Sequence, residues 1–357
     1  MKCTTHAIRS GYDKEKCFVR ARCCYIPGLM VETAQYLNVA GCDAFSGLYM
    51  STSTDDGKTW TEFTAQKGLA AIEKDGLITT GSDATPLYHK KTGRILLLGH
   101  TCEYRKGELY PTGDHRYTFY SVYDREKNEF SRMKILEMPD GFERCGNGSG
   151  QSLELENGDL LIPVYYQNVA GGSASSMVLR CSFDGTDLKL LEMGDSMTVE
   201  QGRGLGESSI IFHGGSYYLT LRNDDNGYVA KSTDGLHYTE PQLWRWDDGT
   251  VLENYNTQQH WMLLDGELCL VYTRRGANND HVFRHRAPLF AAKVENMRVV
   301  RDSEIIVVGE RGAKLGNFGV TEYKDGKAAV MAAEWMQPVG CEAYGSDNSI
   351  FLSIVEK

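Results

Sequence analysis

No stretch of this chain is apolar for long enough to cross a membrane. The opening Met1-Lys2-Cys3-Thr4-Thr5-His6-Ala7-Ile8-Arg9 also lacks the apolar centre of a secretory signal. A cytoplasmic location without a membrane partner is therefore expected. Basic residues are in deficit: 38 Lys and Arg against 48 Asp and Glu give a formal charge of -10, whereas nucleic acid or an anionic membrane surface would require a basic footprint. No nucleic-acid partner is expected, and basic character is confined to local pockets. The ten cysteines include an adjacent pair, Cys23-Cys24, but no Cys-x-x-Cys and no His-rich partner motif. Neither a metal site nor a disulfide framework is indicated, no cofactor is expected, and the thiols read as buried and free.

Long amphipathic helices are also scarce, and short strand-like runs stand in their place. They recur at 94–99, 117–123, 159–166, 177–181, 267–273, 289–294 and 327–333, with Gly, Asn and Asp between them, which predicts an all-β chain. The most informative stretch is 204–224. Two strands, 208–212 and 217–221, flank the tight turn His213-Gly214-Gly215-Ser216, with Glu207 at the start of the first strand and Arg222 at the end of the second. An antiparallel hairpin returns to the end it left, so this carboxylate and this guanidinium are expected at one edge of one sheet.

Regular strand spacing prompts a search for repeats. Ser53-Thr54-Asp55-Asp56-Gly57-Lys58-Thr59-Trp60 resembles the Asp box, Ser-x-Asp-x-Gly-x-Thr-Trp, of sialidases and related propellers. In such a turn the Asp and Gly reverse the chain, the hydroxyls bond its backbone and the Trp packs between sheets. Weaker copies are Ser232-Thr233-Asp234-Gly235-Leu236-His237-Tyr238 and Ser182-Phe183-Asp184-Gly185-Thr186. These turns, with the Asn-Gly and Asp-Gly hairpins at Asn157-Gly158, Asp265-Gly266 and Asp325-Gly326, divide the chain into six units: 17–64, 80–138, 147–195, 206–242, 256–308 and 316–357. Each suits a four-stranded blade. The expected fold is a single six-bladed β-propeller over 1–357, its last blade completed by the N-terminal strand 4–9; the alternative is a β-sandwich or two smaller β domains.

The order of features resembles the sialidase family through most of the chain. Asp83-Ala84-Thr85-Pro86-Leu87-Tyr88 is similar to the family's second blade, and Gly148-Ser149-Gly150-Gln151-Ser152-Leu153 with the strand around Pro163-Val164-Tyr165-Tyr166 to its third; both read as scaffold. The resemblance makes Glu207 the catalytic glutamate and Arg222 and Arg286 two members of the arginine clamp on a substrate carboxylate. Arg284 is a neighbour expected on the same strand face as Arg286. Asp43, in Gly41-Cys42-Asp43-Ala44, occupies the place of the acid/base aspartate ten residues before Ser53, and Glu334 resembles a supporting carboxylate.

Two positions depart from the family. Where an arginine should precede Ile-Pro, the chain reads Tyr25-Ile26-Pro27. Arg22 replaces that arginine only if a bulge intervenes, since an odd offset puts it on the opposite strand face. The nucleophilic tyrosine expected near Leu315-Gly316-Asn317-Phe318-Gly319 is missing, with Tyr323 and Tyr344 as distant substitutes. Inverting hydrolysis by two carboxylates and a water needs no tyrosine, so Asp43 and Glu207 form the expected catalytic pair.

Gln259 and His260, in Thr257-Gln258-Gln259-His260-Trp261, offer donors, acceptors and a stacking face of the kind sugar sites use, the alternative being a hydrogen-bonded core histidine. His281 and His285 rank below the carboxylates as acid or base. Trp244 and Trp246 read as a blade edge.

The function expected is exo-acting hydrolysis of a small glycan with a terminal acidic sugar. A polysaccharide lyase using a His or Tyr base, such as His281 or His260, is one alternative, and a non-catalytic propeller that binds glycans or proteins is the other.

Overall fold

A computed structural model of the chain describes residues 1–40, 45–105, 108–109, 116–142, 144–167 and 172–357. Within these residues the strands form six antiparallel sheets, arranged as the blades of a six-bladed β-propeller. The first blade is built on Lys16–Ile26, Leu29–Asn38 and Phe45–Ser53, and the second on Leu77–His89, Arg94–Arg105 and Thr118–Asp124. Leu160–Tyr166, Ser175–Phe183 and Leu188–Met193 carry the third, and Gly206–His213, Ser216–Arg222 and Tyr228–Ser232 the fourth. His260–Leu264, Glu267–Tyr272 and Leu289–Glu295 carry the fifth. Gly319–Glu322, Ala328–Ala333 and Ile350–Glu356 make the sixth, and Lys2–Arg9 pairs antiparallel with Ile350–Glu356 to complete it. Chain start and chain end thus share one sheet, which covers an edge that would otherwise be open to pairing.

Turn chemistry sets the hairpins. Gly214 and Gly215 both have positive φ, 55° and 77°, as the two-residue turn between Gly206–His213 and Ser216–Arg222 requires. The turn after Ser53 is held by its own side chains: Asp55 Oδ1 accepts from Ser53 Oγ (2.8 Å) and Thr59 N (2.9 Å), and Gly57 N donates to Ser53 Oγ (2.9 Å). The Thr59 hydroxyl, which donates to Asp55 Oδ2 at 2.6 Å, and then the Thr59 N–H hold the Asp55 carboxyl down at about 2. Ser232, Asp234 and Gly235 repeat the pattern, whereas Asp184 instead accepts from Thr186 N and Asp187 N.

Ring closure is visible in the packing. Separate apolar clusters join each blade to the next, such as Val31 and Met50 with Leu97 and Phe119, Leu98 with Ile162, Leu161 with Leu219, Trp244 with Trp261, Val271 with Val330, and Met331 with Met30. Trp244 and Trp246 belong to the core between the fourth and fifth blades. The nine described cysteines are all free, and seven are buried. Among the described residues no helix is long and apolar enough to cross a membrane.

One core position is costly. Glu32, on Leu29–Asn38 opposite Cys23, is fully buried and neither carboxylate oxygen has a hydrogen-bond partner. Burial pushes its carboxyl up to about 8, against a smaller opposing pull from Arg9. The folded state therefore holds a proton that the unfolded chain releases near pH 4.5. Stability from this group is complete below that pH, falls by about 1.4 kcal/mol per pH unit as pH rises towards 8, and is level beyond. Glu32→Gln removes the titration. Its melting temperature should gain on the parent by several degrees between pH 5 and 8, at roughly 1–2 °C per kcal/mol for a chain of this size. Parallel melting curves across that window, followed by circular dichroism, would refute the assignment.

Candidate active site

The first strands of the blades do not run regularly to the axis. Each of three carries a bulge where it nears the centre: between Val19 and Arg22, between Ser82 and Thr85, and between Gly206 and Ser209. At or beside these bulges non-glycine residues take left-handed φ: Arg20 (59°), Asp83 (50°) and Glu207 (41°). Ser149 (55°) and Asn256 (54°) do the same just ahead of the strands of the third and fifth blades. Such backbone costs of order 1–3 kcal/mol per residue and collects where side chains must be re-aimed.

The side chains so aimed close a ring that takes in all six blades. Arg20 Nε lies 3.0 Å and Arg22 Nη2 3.3 Å from Asp83 Oδ1. His100, near the middle of Arg94–Arg105, is 3.8 Å from the other Asp83 oxygen, and its Nδ1 is 3.3 Å from the Tyr165 hydroxyl. The Arg116 guanidinium stands 4.7 Å over the Tyr165 ring. Tyr165 in turn backs onto Gly206, where a Cβ would come 3.4 Å from the ring. Glu207 then pairs with Arg222 across the hairpin, and Arg222 Nη2 donates to Asn256 Oδ1 at 2.9 Å. Arg286 Nε donates to the Asn256 carbonyl at 3.0 Å and Nη1 to Asn317 Oδ1 at 3.4 Å. Asn317 Nδ2 returns to Asp83 Oδ1, also at 3.4 Å.

Electrostatics follow from this arrangement. Burial alone would raise the Asp83 carboxyl, but Arg20, then Arg22 and His100, outweigh it and hold it far below the carboxylate range. Burial, reinforced by Arg116, drives His100 well below its ordinary value and leaves it neutral at pH 7. Burial raises the Tyr165 phenol, with Arg116 opposing, so the hydroxyl keeps its proton. Among the described residues, five arginines (20, 22, 116, 222 and 286) thus face two carboxylates. One oxygen of Glu207, Oε2, is buried and has no hydrogen-bond partner.

Several sequence expectations fall elsewhere. The bulge required for Arg22 is present, but Arg22 is fully buried, with all three nitrogens bonded to Phe318 O, Ala84 O, Asp83 and Ser149 Oγ. It braces Asp83, while Arg20 was not singled out by sequence at all. Arg284 does not share a strand face with Arg286: Phe283–His285 is a 3-10 turn with Arg284 and His285 at positive φ, and Arg284 is exposed. His260 is buried between Ser209 Oγ (2.8 Å) and Phe318 O (3.1 Å), and burial followed by Arg22 lowers it to about 3. Gln259 is likewise buried, bonded to Thr220 Oγ1 and Thr257 O. Both are therefore core struts in this structure. Glu334 binds Arg311 through both oxygens, at 2.7 and 2.8 Å, rather than a ring arginine.

Neither tyrosine of the last blade joins the ring. Tyr323 donates to Asp56 O, and Tyr344 is exposed against His281. Asp43 lies outside the described residues. Asp83 and Tyr165, read from sequence as scaffold, are ring members, together with His100, Arg116, Asn256 and Asn317. Among the described residues no group of three His, Cys, Asp or Glu side chains is arranged to hold a metal.

Comparison with solved structures now bears on the fold. A protein of unknown function from Dyadobacter fermentans superposes with a TM-score of 0.69 at 15% identity over 99% of both chains. The Trypanosoma rangeli sialidase in complex with sialic acid gives 0.64 at 18% identity, over 95% of this chain and 54% of that one. The NanB sialidase from Streptococcus pneumoniae gives 0.65 at 13% identity, over 98% and 70%. The chain is similar in fold to sialidases. It spans only about half the length of the trypanosomal sialidase, and at such identities the likeness concerns architecture alone. No protein-family model matches the chain, and no curated protein matches it in sequence.

Proposed function

We propose that this propeller is a glycoside hydrolase that acts at its axial ring on a terminal acidic sugar. The observation that carries this reading is the excess, among the described residues, of five arginines over two carboxylates at the axis of a chain with a formal charge of -10. A guanidinium fork matches a carboxylate in two parallel hydrogen bonds, and Arg222 and Arg286, both oriented by Asn256, form the clamp. Glu207 has one buried oxygen without a partner beside that clamp, and once substrate opens the pair with Arg222 it is the carboxylate placed to take a proton from an attacking water. Asp43 is proposed, from the sialidase resemblance, as the donor to the departing oxygen.

A panel of aryl glycosides that includes sialosides and uronosides tests the activity, and failure to release the aryl group from any acidic member would refute it. Within an active pair, Arg222→Ala should raise KM for the acidic substrate by roughly 10–100-fold, the value of a charge-assisted hydrogen bond. KM for a neutral glycoside should hardly move. Equal losses on both would sink the carboxylate clamp.

The second reading, a lyase acting on uronates, is favoured by the His100–Tyr165 pair rather than by His260 or His281. The His100 imidazole, in contact with the Tyr165 phenol under Arg116, brings together a proton acceptor, a proton donor and a cation, the groups that β-elimination needs. An unsaturated product absorbing in the ultraviolet would favour elimination, and a reducing sugar without it hydrolysis.

A further inference from the structure

A second site borders the ring on the side of the fifth blade. A groove of about 390 Å³ is lined by Trp246, Glu253, Arg274, Arg275, Gly276 and Arg301 among others. Two of its arginines are fixed by carboxylates behind them. Arg274 donates to both oxygens of Glu304 at 2.8 and 2.6 Å, and Arg301 donates to Asp248 at 3.1 and 2.9 Å and to Thr250 Oγ1 at 2.7 Å. Both lie over Trp246, with guanidinium carbons 5.4 and 4.4 Å from the ring centre. Arg275 differs. Its guanidinium is stacked on Tyr255 at 3.7 Å and makes no hydrogen bond or ion pair among the described residues. Glu253, whose carbonyl accepts from Arg275 N at 3.2 Å, is exposed, and its carboxylate makes no hydrogen bond or ion pair among the described residues. Gly276, at φ 70°, turns the chain just after Arg275, and a Cβ there would lie 3.8 Å from Arg274 Nη1 and 3.9 Å from Glu253 Oε2.

The groove is tied to the ring by one short stretch of chain and by one stacked, hydrogen-bonded contact. Glu253 precedes Asn256 by three residues, a span of at most about 11 Å. Tyr255, which carries Arg275, bonds His285 Nδ1 at 2.5 Å, and the residue after His285 is Arg286. A pre-fixed wall, one stacked guanidinium with its donors free and one carboxylate able to accept from hydroxyls suit a sugar unit that bears a single negative charge.

We propose that this groove is a second subsite, in which Arg275 binds the anionic group of the sugar next to the one held in the ring. The preferred ligand is then an acidic oligosaccharide rather than a lone acidic sugar. This deepens the function proposed above and rests on it only for the occupant of the ring.

Calorimetry with two pairs of probes tests it: galacturonate against α-1,4-digalacturonate, and N-acetylneuraminate against its α-2,8-linked dimer. In at least one pair the dimer should bind about tenfold more tightly than the monomer. Arg275→Ala should abolish that gain and leave monomer affinity unchanged, and methyl esterification of the dimer's second carboxylate alone should mimic it. Arg222→Ala should weaken monomer and dimer alike. The subsite is overturned if neither dimer shows an advantage, or if Arg275→Ala or the ester keeps it. If a dimer binds in an Arg275-dependent way while Arg222→Ala changes nothing, the reading of the ring fails and the subsite stands.

Discussion

Glu207→Gln is expected to lower kcat on an acidic glycoside by roughly 10²–10⁴, the usual cost of losing an acid or base group. The substitution keeps the side chain's shape, so the bulge at Gly206–Ser209 and the left-handed φ of 41° have no new reason to relax. What changes is charge. Oε1 is engaged by Arg222 while Oε2 is buried without a partner, so one half of the carboxylate is held by the clamp arginine and the other half is unsatisfied. The amide keeps one acceptor but cannot take a proton. It also releases Arg222 from its ion pair, which frees that guanidinium for the substrate's carboxylate. KM should therefore stay level or fall while kcat collapses, a split that a merely structural defect would not produce. Initial rates on the best aryl glycoside decide the matter. A folded variant with parental kcat would remove Glu207 from the chemistry.

Much of the architecture was legible because its signals are local. The unit expected at 206–242 corresponds to a sheet running from Gly206 to Leu243, since Gly214-Gly215 and the Ser232 turn mark its hairpins in the sequence itself. Glu207 and Arg222 were legible for the same reason, being two ends of one hairpin. The ring was not. Its bonds join residues far apart in the chain, with Asn317 reaching Asp83 across 234 positions and Arg22 reaching it across 61, and no periodicity reports such contacts. The bulges left no trace either, because the residues at positive φ are Arg, Asp and Glu rather than the glycine that would signal the conformation. Arg284 was misplaced by assuming strand alternation where the chain makes a 3-10 turn. Asp83 was read only as scaffold, because its role depends on two arginines that a bulge turns towards it.

That dependence makes Asp83 the position whose loss should be felt most in stability. It is 4% exposed, and its Oδ1 lies within 3.4 Å of Arg20, Arg22, Ser149 and Asn317. Asp83→Asn preserves volume but leaves two buried guanidiniums without a counter-charge. Breaking a buried pair in this way costs about 3–5 kcal/mol, which for a chain of this size lowers the melting temperature by roughly 4–7 °C. The pH dependence separates charge from packing. A carboxyl depressed in the folded state adds stability that is complete above its unfolded value near 3.8 and is lost as pH falls towards the folded one. The gap between parent and variant should thus be constant from pH 5 to 8 and narrow below about pH 4, where the parent starts to lose what the variant never had. A gap that persists undiminished at pH 3 would point to packing, and an unchanged melting temperature at pH 7 would deny Asp83 its place at the centre of the ring. Activity should fall with it, since Asn317 links Asp83 to Arg286 and the clamp would lose its anchor on that side.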